Sequence, residues 1–336
     1  IRDRYIIKKV RFISMNKILV LFTGGTIGST SYNGIADVDS SKRFLLISQY
    51  ENIYGHDTQF ECRQIMNILS ENITVSELEL LADELSKVNF SDYSGVIITH
   101  GSDTLAYTAA FIGMLFRHSP VPIILVASNL PLDEKGTNGL YNFTCAVKVI
   151  SEGKYRGVFA SYESIYLSTR IIPADTCLDK FSSYGGNEFY RVSEKMLDNS
   201  FEPLLKNPLK LKKRVLKISG YPDIDFSSYK LIENIGAVLY VPYHSGTACT
   251  GSPDDNKNIT SLAKRCREKN IPLYICGVKV GGQLYTSHKN MFDAGIIPLG
   301  RISDVAAYIK LLIGINQNEY PLKEFMDMNI YFETVN

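Results

Sequence analysis

Two short polar stretches contain residues whose types and spacing could do chemistry. The first, TGGTIG at residues 23–28, follows the apolar run ILVLF, and the second, THGSDT at residues 99–104, follows GVII. A hydroxyl attacks a carbonyl carbon when its proton is removed and N–H groups stabilise the oxyanion. Glycines let the backbone approach a substrate closely, and a carboxylate binds an ammonium group. Together the two stretches would suit a small zwitterion that carries an amide.

Glycine-rich turns after a strand also bind phosphate, so a nucleotide site is an alternative use of the first stretch. A dinucleotide-binding turn requires GxGxxG, and a P-loop requires GxxxxGK followed by serine or threonine. Gly24, Gly25 and Gly28 fit neither pattern, and no lysine follows Gly28 directly. The sequence therefore disfavours nucleotide binding. A simple strand-ending turn followed by a helix N-cap stays open for each stretch taken alone.

Both stretches need strands to position them, and apolar strand patterns alternate with helical patterns along the whole chain. Short apolar runs predict strands, and apolar residues spaced three or four apart predict helices. The predicted strands span 17–23, 95–99, 122–127, 156–160, 236–241 and 271–277, and the predicted helices span 74–87, 103–117, 138–151, 257–269 and 303–315. Thr74 and Glu77 have the spacing of a capping box. This alternation predicts a doubly wound, mainly parallel α/β sheet, in which ligands bind beyond the carboxyl ends of the strands.

A basic segment, PLLKNPLKLKKRVLK at residues 203–217, divides the chain. It contains two prolines and six basic residues and precedes a new strand–helix pattern, so we interpret it as a solvated linker. Aromatic residues that would indicate a nucleic-acid patch are absent from it. We therefore expect a leader or extension at 1–14, an N-terminal α/β domain at 15–200, a linker at 201–217 and a C-terminal α/β domain at 218–336.

Composition and charge argue against several classes of function. Thirty-six basic residues against 35 acidic ones give a net charge of +1, which favours neither nucleic acid nor an anionic membrane as a partner. No run approaches the ~20 apolar residues of a membrane-spanning helix. The six cysteines form no CxxC pair and no metal-type cluster with histidine. Scattered cysteines are typical of a reducing compartment, so we expect free thiols, no metal and a cytoplasmic location.

The co-occurrence of TGGTIG and THGSDT resembles the bacterial asparaginase family. Two further segments are similar to that family, SNLPLDEKGTNGLYNF at 128–143 and DAGIIPLGRISDVAAYIKLLI at 293–313. The resemblance implies a larger doubly wound N-terminal domain, a smaller C-terminal α/β domain, and neither metal nor cofactor. It also implies hydrolysis of L-asparagine to aspartate and ammonia through an acyl-enzyme, in a homodimer or homotetramer.

The resemblance also implies roles for individual residues. Thr26 would be the nucleophile, Asp103 would bind the amine of the substrate, and Ser102 would help to orient the attacking groups. Ser70 takes the place at which the family binds the α-carboxylate of the substrate. The other predicted substrate-binding positions are Gly25, Gly101, Glu71 and Thr247.

This sequence departs from the family pattern at the lysine that pairs with the aspartate. The matching stretch is STRIIPAD at residues 168–175, where the place of the lysine falls near Pro173. Arg170 is close in sequence, but a guanidinium stays protonated and cannot replace lysine as a proton carrier. His244 in PYHSGTACT is the alternative proton carrier, contributed across a subunit interface, because histidine changes charge near neutral pH. A hydrogen-bonded structural histidine is the other interpretation of His244.

Three more positions differ from the family pattern. The spacing of the family's tyrosine falls on Ile35 or Ala36, and Tyr32 stands close by as the candidate. Glu71 replaces an uncharged residue and would repel an α-carboxylate, and Thr247 replaces an asparagine of the neighbouring subunit. These differences leave two alternatives open. One is hydrolysis of another amide, such as glutamine, a β-aspartyl peptide or a larger molecule, and the other is binding of a small amino acid without turnover.

Overall fold

Strands and helices alternate along the chain, as the sequence pattern predicts. The computed structural model describes residues 17–25, 27, 29–32, 35–38, 43–186, 201–278 and 284–335. Its strands are β1 (Lys17–Gly24), β2 (Ser29–Tyr32), β3 (Ile35–Val38), β4 (Gln59–Ile68), β5 (Gly95–Thr99), β6 (Pro122–Val126), β7 (Gly157–Tyr162), β8 (Ser164–Leu167), β9 (Ile171–Ile172), β10 (Ser182–Ser183), β11 (Arg214–Ser219), β12 (Ile235–Val241), β13 (Leu273–Ile275) and β14 (Ile297–Pro298). Its helices are α1 (Arg43–Tyr54), α2 (Val75–Ser86), α3 (Leu105–Leu115), α4 (Gly139–Ser151), α5 (Ile259–Glu268), α6 (Thr286–Asp293), α7 (Asp304–Gly314) and α8 (Leu322–Asp327).

The larger sheet has six strands in the order β4-β1-β5-β6-β7-β8. The strands are parallel apart from the β7–β8 pair. The chain passes from β1 to β4 on one side and then crosses back to β5 on the other, so the strand order reverses at β1. Ligands bind at such a reversal in open parallel sheets. Phe22 lies opposite Thr99, so both polar stretches begin at the same level of this crevice. The predicted mainly parallel sheet is confirmed.

The burial of each element explains which ones the sequence reveals. β1, β5 and β6 are apolar runs whose side chains are almost all buried. The sequence pattern misses β4, because this edge strand is only half-buried and mixes apolar with charged residues. On β4, hydrogen bonds from Lys17 and Arg63 lower the pKa of Glu61 to about 2. Thr74 and Glu77 form the predicted capping box at the start of α2.

The smaller sheet contains β11, β12, β13 and β14 in that order, all parallel. Helix α7 packs against α3 and against this sheet, so its apolar residues join the larger hydrophobic core. β11 begins at Arg214, inside the range predicted as a linker. Upstream of it, the Lys210 ammonium lies 3.3 Å from an Asp83 oxygen and 3.6 Å from a Glu79 oxygen of α2. Acidic residues of α2 therefore hold part of this basic segment, which the sequence suggested would be solvated.

The C-terminal segment joins the two sheets. Lys310 of α7 and Glu333 form an ion pair with 2.9 Å between Nζ and Oε1, and both side chains are buried. The Tyr331 hydroxyl accepts a hydrogen bond of 2.7 Å from the Val158 N–H in β7. Breaking a buried ion pair by removing one partner typically costs roughly 3–5 kcal/mol. The segment therefore fixes α7 against the larger sheet.

The described residues were also searched for membrane spans and metal sites. In the ranges given above, no helix is long and apolar enough to cross a membrane. The same ranges contain no group of three or more histidine, cysteine, aspartate or glutamate side chains that could hold a metal ion. All six cysteines are free thiols.

Candidate active site

The loops that follow β1 and β5 touch through their backbones. Gly25 has a φ of +75°, and a Cβ atom on it would lie 2.3 Å from the Gly101 nitrogen and 2.6 Å from the His100 carbonyl carbon. Only glycine allows this approach, because any side chain would overlap the neighbouring backbone. The Gly25 N–H donates to the Ile68 carbonyl at the end of β4, at 2.9 Å. Three strand ends therefore meet at this point.

Ser70 brings the loop after β4 into the same place. It begins a short 3₁₀ turn and is 2% exposed. Its hydroxyl donates to the Asp103 carboxylate, with 2.9 Å between Oγ and Oδ2. A Cβ atom on Gly101 would lie 2.4 Å from the same Oγ, and the Thr104 hydroxyl donates to the Ser70 carbonyl at 2.8 Å. The fold thus brings together Gly25, Ser70, Gly101 and Asp103, all of them predicted site residues.

Asp103 and Ser102 lie in the turn that precedes α3. The sequence predicts a helix from residue 103, but the helix begins at Leu105 with Thr104 as its N-cap. The bonds from Asp103 and Thr104 to Ser70 hold this turn outside the helix. Asp103 is exposed and Ser102 is half-buried. A carboxylate oriented in this way can bind an ammonium group, and the N–H groups at the start of α3 favour an anion nearby.

His100 is completely buried behind the site. Its Nδ1 lies 2.7 Å from the Gly101 carbonyl oxygen, and a carbonyl only accepts, so Nδ1 carries the proton. Burial lowers the pKa of His100 to about 4, which keeps the ring neutral at physiological pH. His100 therefore holds the Gly101 carbonyl and does not carry protons near pH 7. Sequence reasoning assigned it no role, although the buried strand before it was the available signal.

Glu71 adds a second carboxylate beside the site. It follows Ser70 in the 3₁₀ turn and is exposed. An anionic group bound at Ser70 would be repelled by Glu71, and water between the charges would weaken this effect. The position of Glu71 therefore bears on which substrate is preferred.

Thr26, the predicted nucleophile, lies outside the described residues. Gly25 before it contacts the loop after β5, and Ile27 after it is buried. Tyr32 ends β2, and its backbone pairs with Ile35 of β3. The catalytic roles of Thr26 and Tyr32 stay predictions.

His244 and Thr247 lie beyond the carboxyl end of β12, in the smaller sheet. Their loop folds back on itself, since the Tyr243 N–H donates to the Thr247 carbonyl at 3.0 Å. The Gly246 N–H also donates to the Tyr243 carbonyl, at 2.8 Å. His244 is exposed and Thr247 is half-buried. The loop therefore presents His244 to solvent.

Arg170 has a structural position. Its guanidinium donates to the Thr334 carbonyl at 2.7 Å, to the Tyr184 carbonyl at 3.2 Å and to the Phe332 carbonyl. The side chain is 6% exposed. It anchors the C-terminal segment to the larger sheet. Pro173, where the family lysine was expected, follows β9 and is half-buried.

Two asparagines of the segment at 128–143 hold neighbouring loops together, which sequence reasoning did not foresee. The Asn129 and Asn138 side chains each accept the backbone N–H of the other, at 3.0 and 2.9 Å. Asn142 is buried; its amide donates to the Ala127 carbonyl at 2.8 Å and accepts from the Glu163 N–H at 2.7 Å. This segment supports the sheet beside the site.

Comparison with known proteins places these features in a family context. The family description "Asparaginase, N-terminal" matches residues 17–200. The chain is 27% identical over 335 residues to an L-asparaginase of Thermococcus kodakarensis, which covers 94% of this chain and 98% of the relative. It is 24% identical over 323 residues to a glutamyl-tRNA(Gln) amidotransferase subunit of Aeropyrum pernix, which covers 88% of this chain and 73% of the relative.

Two solved structures share the fold. The thermostable L-asparaginase from Thermococcus kodakarensis superposes with a TM-score of 0.75 at 24% identity, over 95% of this chain and 99% of that one. L-asparaginase I from Vibrio cholerae O1 biovar eltor gives a TM-score of 0.75 at 21% identity, over 96% and 100%. The likeness extends through both sheets.

Proposed function

The chain belongs to the asparaginase family, whose members are amidohydrolases acting on a carboxamide, and from this premise we propose that it hydrolyses L-asparagine to L-aspartate and ammonia. The observation that carries the proposal is the bond between Ser70 and Asp103 at the crevice where the strand order reverses. This bond orients a carboxylate beside the glycine-lined approach of the loops after β1 and β5.

The proposed reaction proceeds through an acyl-enzyme. The Thr26 hydroxyl attacks the side-chain amide carbon of asparagine and loses its proton, and ammonia leaves with an added proton. Water then attacks the resulting ester, which releases aspartate and restores the hydroxyl. Ser102 orients the attacking groups, and Tyr32 is the candidate for the family's tyrosine beside Thr26.

Asp103 binds the substrate ammonium, and Ser70 binds the α-carboxylate. The Ser70 hydroxyl has one proton, which it donates to Asp103 in this structure. When an ammonium group occupies the Asp103 oxygen, the hydroxyl can rotate towards the substrate carboxylate. The backbones of Gly25 and Gly101 leave room for the substrate between them.

A second copy of the chain completes the site in this proposal, within a homodimer or homotetramer. The loop after β12 would supply Thr247, in place of the family's asparagine, and His244 as a proton carrier. The exposure of His244 on a loop that is closed by its own hydrogen bonds supports this role. We propose a cytoplasmic location and neither a nucleic-acid nor a membrane partner.

A larger amide or glutamine is the second candidate substrate. Glu71 would repel a free α-carboxylate near Ser70, and several relatives are amidotransferase subunits. A panel of L-asparagine, L-glutamine and a β-aspartyl dipeptide ranks these substrates by kcat/KM. The proposal expects L-asparagine to rank first.

The test is ammonia release from L-asparagine by Thr26→Val, with Thr144→Val as the matched control. Thr144 is half-buried on α4 and bonds only within its own helix, to the Leu140 carbonyl. We expect Thr26→Val to lose at least about 10³-fold in rate with an unchanged melting temperature, and Thr144→Val to retain activity. A folded Thr26→Val that keeps its activity would move the nucleophile to Ser102. A wild-type protein that L-aspartate stabilises but that releases no ammonia would be a binding protein.

A further inference from the structure

A cleft between the two sheets contains cationic, aromatic and apolar side chains that the proposed reaction does not use. It has a volume of about 570 Å³, within the range of small-molecule sites. Its walls come from α3, α7, β11 and the start of α2, and they include Thr104, Tyr107, Arg214, Lys217, Tyr308 and Leu312. The cleft is therefore large enough for a small organic molecule.

Lys217 supplies the first cation of the cleft. Its Nζ lies 2.6 Å from an Asp304 carboxylate oxygen and 2.9 Å from the Tyr107 hydroxyl. The same Nζ stands 5.3 Å from the centre of the Tyr107 ring. An ammonium group has three N–H donors. These two contacts hold Lys217 in place and leave one donor for a ligand.

Arg214 supplies the second cation. Its Nη1 donates to the Leu211 carbonyl at 2.7 Å, which fixes the base of the side chain at the start of β11. A guanidinium has five donors in one plane and binds a carboxylate with two parallel hydrogen bonds. The bond to Leu211 uses one of them. The planar fork of Arg214 therefore matches a carboxylate group.

The charge and the apolar walls together select the ligand. Arg214 and Lys217 face one paired carboxylate, that of Asp304, so the cleft retains one net positive charge. The rings of Tyr107 and Tyr308 meet edge to face, with 5.7 Å between their centres. Leu312 adds an apolar surface beside them. A monoanion with a compact apolar body fits this combination.

We propose that this cleft binds a small organic monocarboxylate. The carboxylate group would bind to Arg214 and to the remaining donor of Lys217, and the apolar body would pack against Tyr308 and Leu312. The cleft is separate from the candidate active site, although Thr104 borders both. The proposal does not depend on which amide the enzyme hydrolyses.

The test is calorimetric titration of the full chain with benzoate, which has one negative charge and a flat apolar ring. Benzyl alcohol, of similar shape but without charge, is the neutral comparison. We expect saturable benzoate binding with a dissociation constant on the order of 1 mM, and at least about tenfold weaker binding of benzyl alcohol. Arg214→Gln should weaken benzoate binding by about tenfold or more, because it removes the charged fork.

Two control variants make the result specific. Arg156→Gln removes the same charge from an exposed position just before β7 and should bind benzoate as the wild type does. Asp103→Asn alters the candidate active site and should also leave benzoate binding unchanged. Equal benzoate affinity in Arg214→Gln and the wild type would overturn the proposal. The same holds if benzyl alcohol binds as tightly, if Asp103→Asn loses benzoate binding, or if no saturable heat is observed up to roughly 20 mM benzoate.

Discussion

Two loops that each carry a histidine beside a glycine differ sharply in how the fold uses them. THGSDT follows β5, and its His100 is buried, neutral and bonded to the Gly101 carbonyl. PYHSGTACT follows β12, and its His244 is exposed on a loop closed by bonds within the loop. Both loops leave the carboxyl end of a buried parallel strand.

The difference follows from what surrounds each strand end. The loop after β5 is in contact with the loops after β1 and β4, so its backbone is fixed by Gly25 on one side and Ser70 on the other. The loop after β12 is held mainly by the bonds of Tyr243 with Thr247 and Gly246. The first loop is suited to holding a substrate in a fixed position. The second is suited to projecting side chains towards another molecule.

The largest effect in this comparison is expected from the exposed histidine. If His244 of a second copy is the proton carrier that replaces the family lysine, His244→Gln should lower the rate of asparagine hydrolysis by about 10²–10⁴-fold, the usual contribution of a general base. The melting temperature should stay the same, because the side chain is exposed. Steady-state kinetics at saturating asparagine measure the effect.

His56→Gln is the control for this prediction, since the His56 side chain is also exposed, at 80%. It should leave the rate unchanged. A fast enzyme that is unaffected by His244→Gln would remove His244 from the mechanism and leave Tyr32 as the next candidate.

The second prediction concerns the contact between the loops after β1 and β5. Gly25→Ala should lower hydrolysis by about 10²-fold, because the new Cβ would lie 2.3 Å from the Gly101 nitrogen and must push the loops apart. Gly55→Ala is the matched control. Gly55 also has a positive φ, +83°, but no atom lies within 4 Å of its added Cβ.

Both alanine variants share the backbone strain of a positive φ, so only Gly25→Ala tests the contact itself. Gly55→Ala should retain full activity and show a small loss of stability. Equal losses of activity in the two variants would show that strain, and not the approach of the loops, limits the reaction.

The sequence predicts the strands before both motifs well, because β1 and β5 are continuous apolar runs between polar turns. It cannot predict that Gly25 touches Gly101, since that contact depends on the order of the strands in the sheet. The position of Ser70 came from the family resemblance alone. Its bond to Asp103 requires β4 to lie beside β1, and β4 is a half-buried edge strand without a clear sequence pattern.

The two histidines show the same limit at the level of one residue. THG and YHSG are both polar turns after an apolar strand, and no local pattern separates a buried ring from an exposed one. What separates them is the number of neighbouring loops that pack over each strand end. For the same reason Arg170, considered as a replacement for the lysine, lies instead against the C-terminal carbonyls of Phe332 and Thr334.

The smallest effect is expected from the buried histidine, and it concerns stability. Burial lowers the pKa of folded His100 to about 4, below the ~6.5 of an unfolded chain. The unfolded state therefore binds more protons between these values, so stability is complete above about pH 6.5 and falls as the pH decreases towards 4. At pH 5 the loss from His100 alone is on the order of 2 kcal/mol.

His100→Gln should reduce this pH dependence, because glutamine does not titrate while its amide can still donate to the Gly101 carbonyl. Urea unfolding at pH 7 and pH 5 measures the difference, which should be smaller in the variant by about 2 kcal/mol. Some dependence will remain, since burial also lowers the pKa of His118. His56→Gln, which changes an exposed histidine, should keep the dependence of the wild type. If His100→Gln loses as much stability as the wild type between the two pH values, the ring is not the buried neutral support of Gly101, and the contrast with His244 fails on the side of the larger sheet.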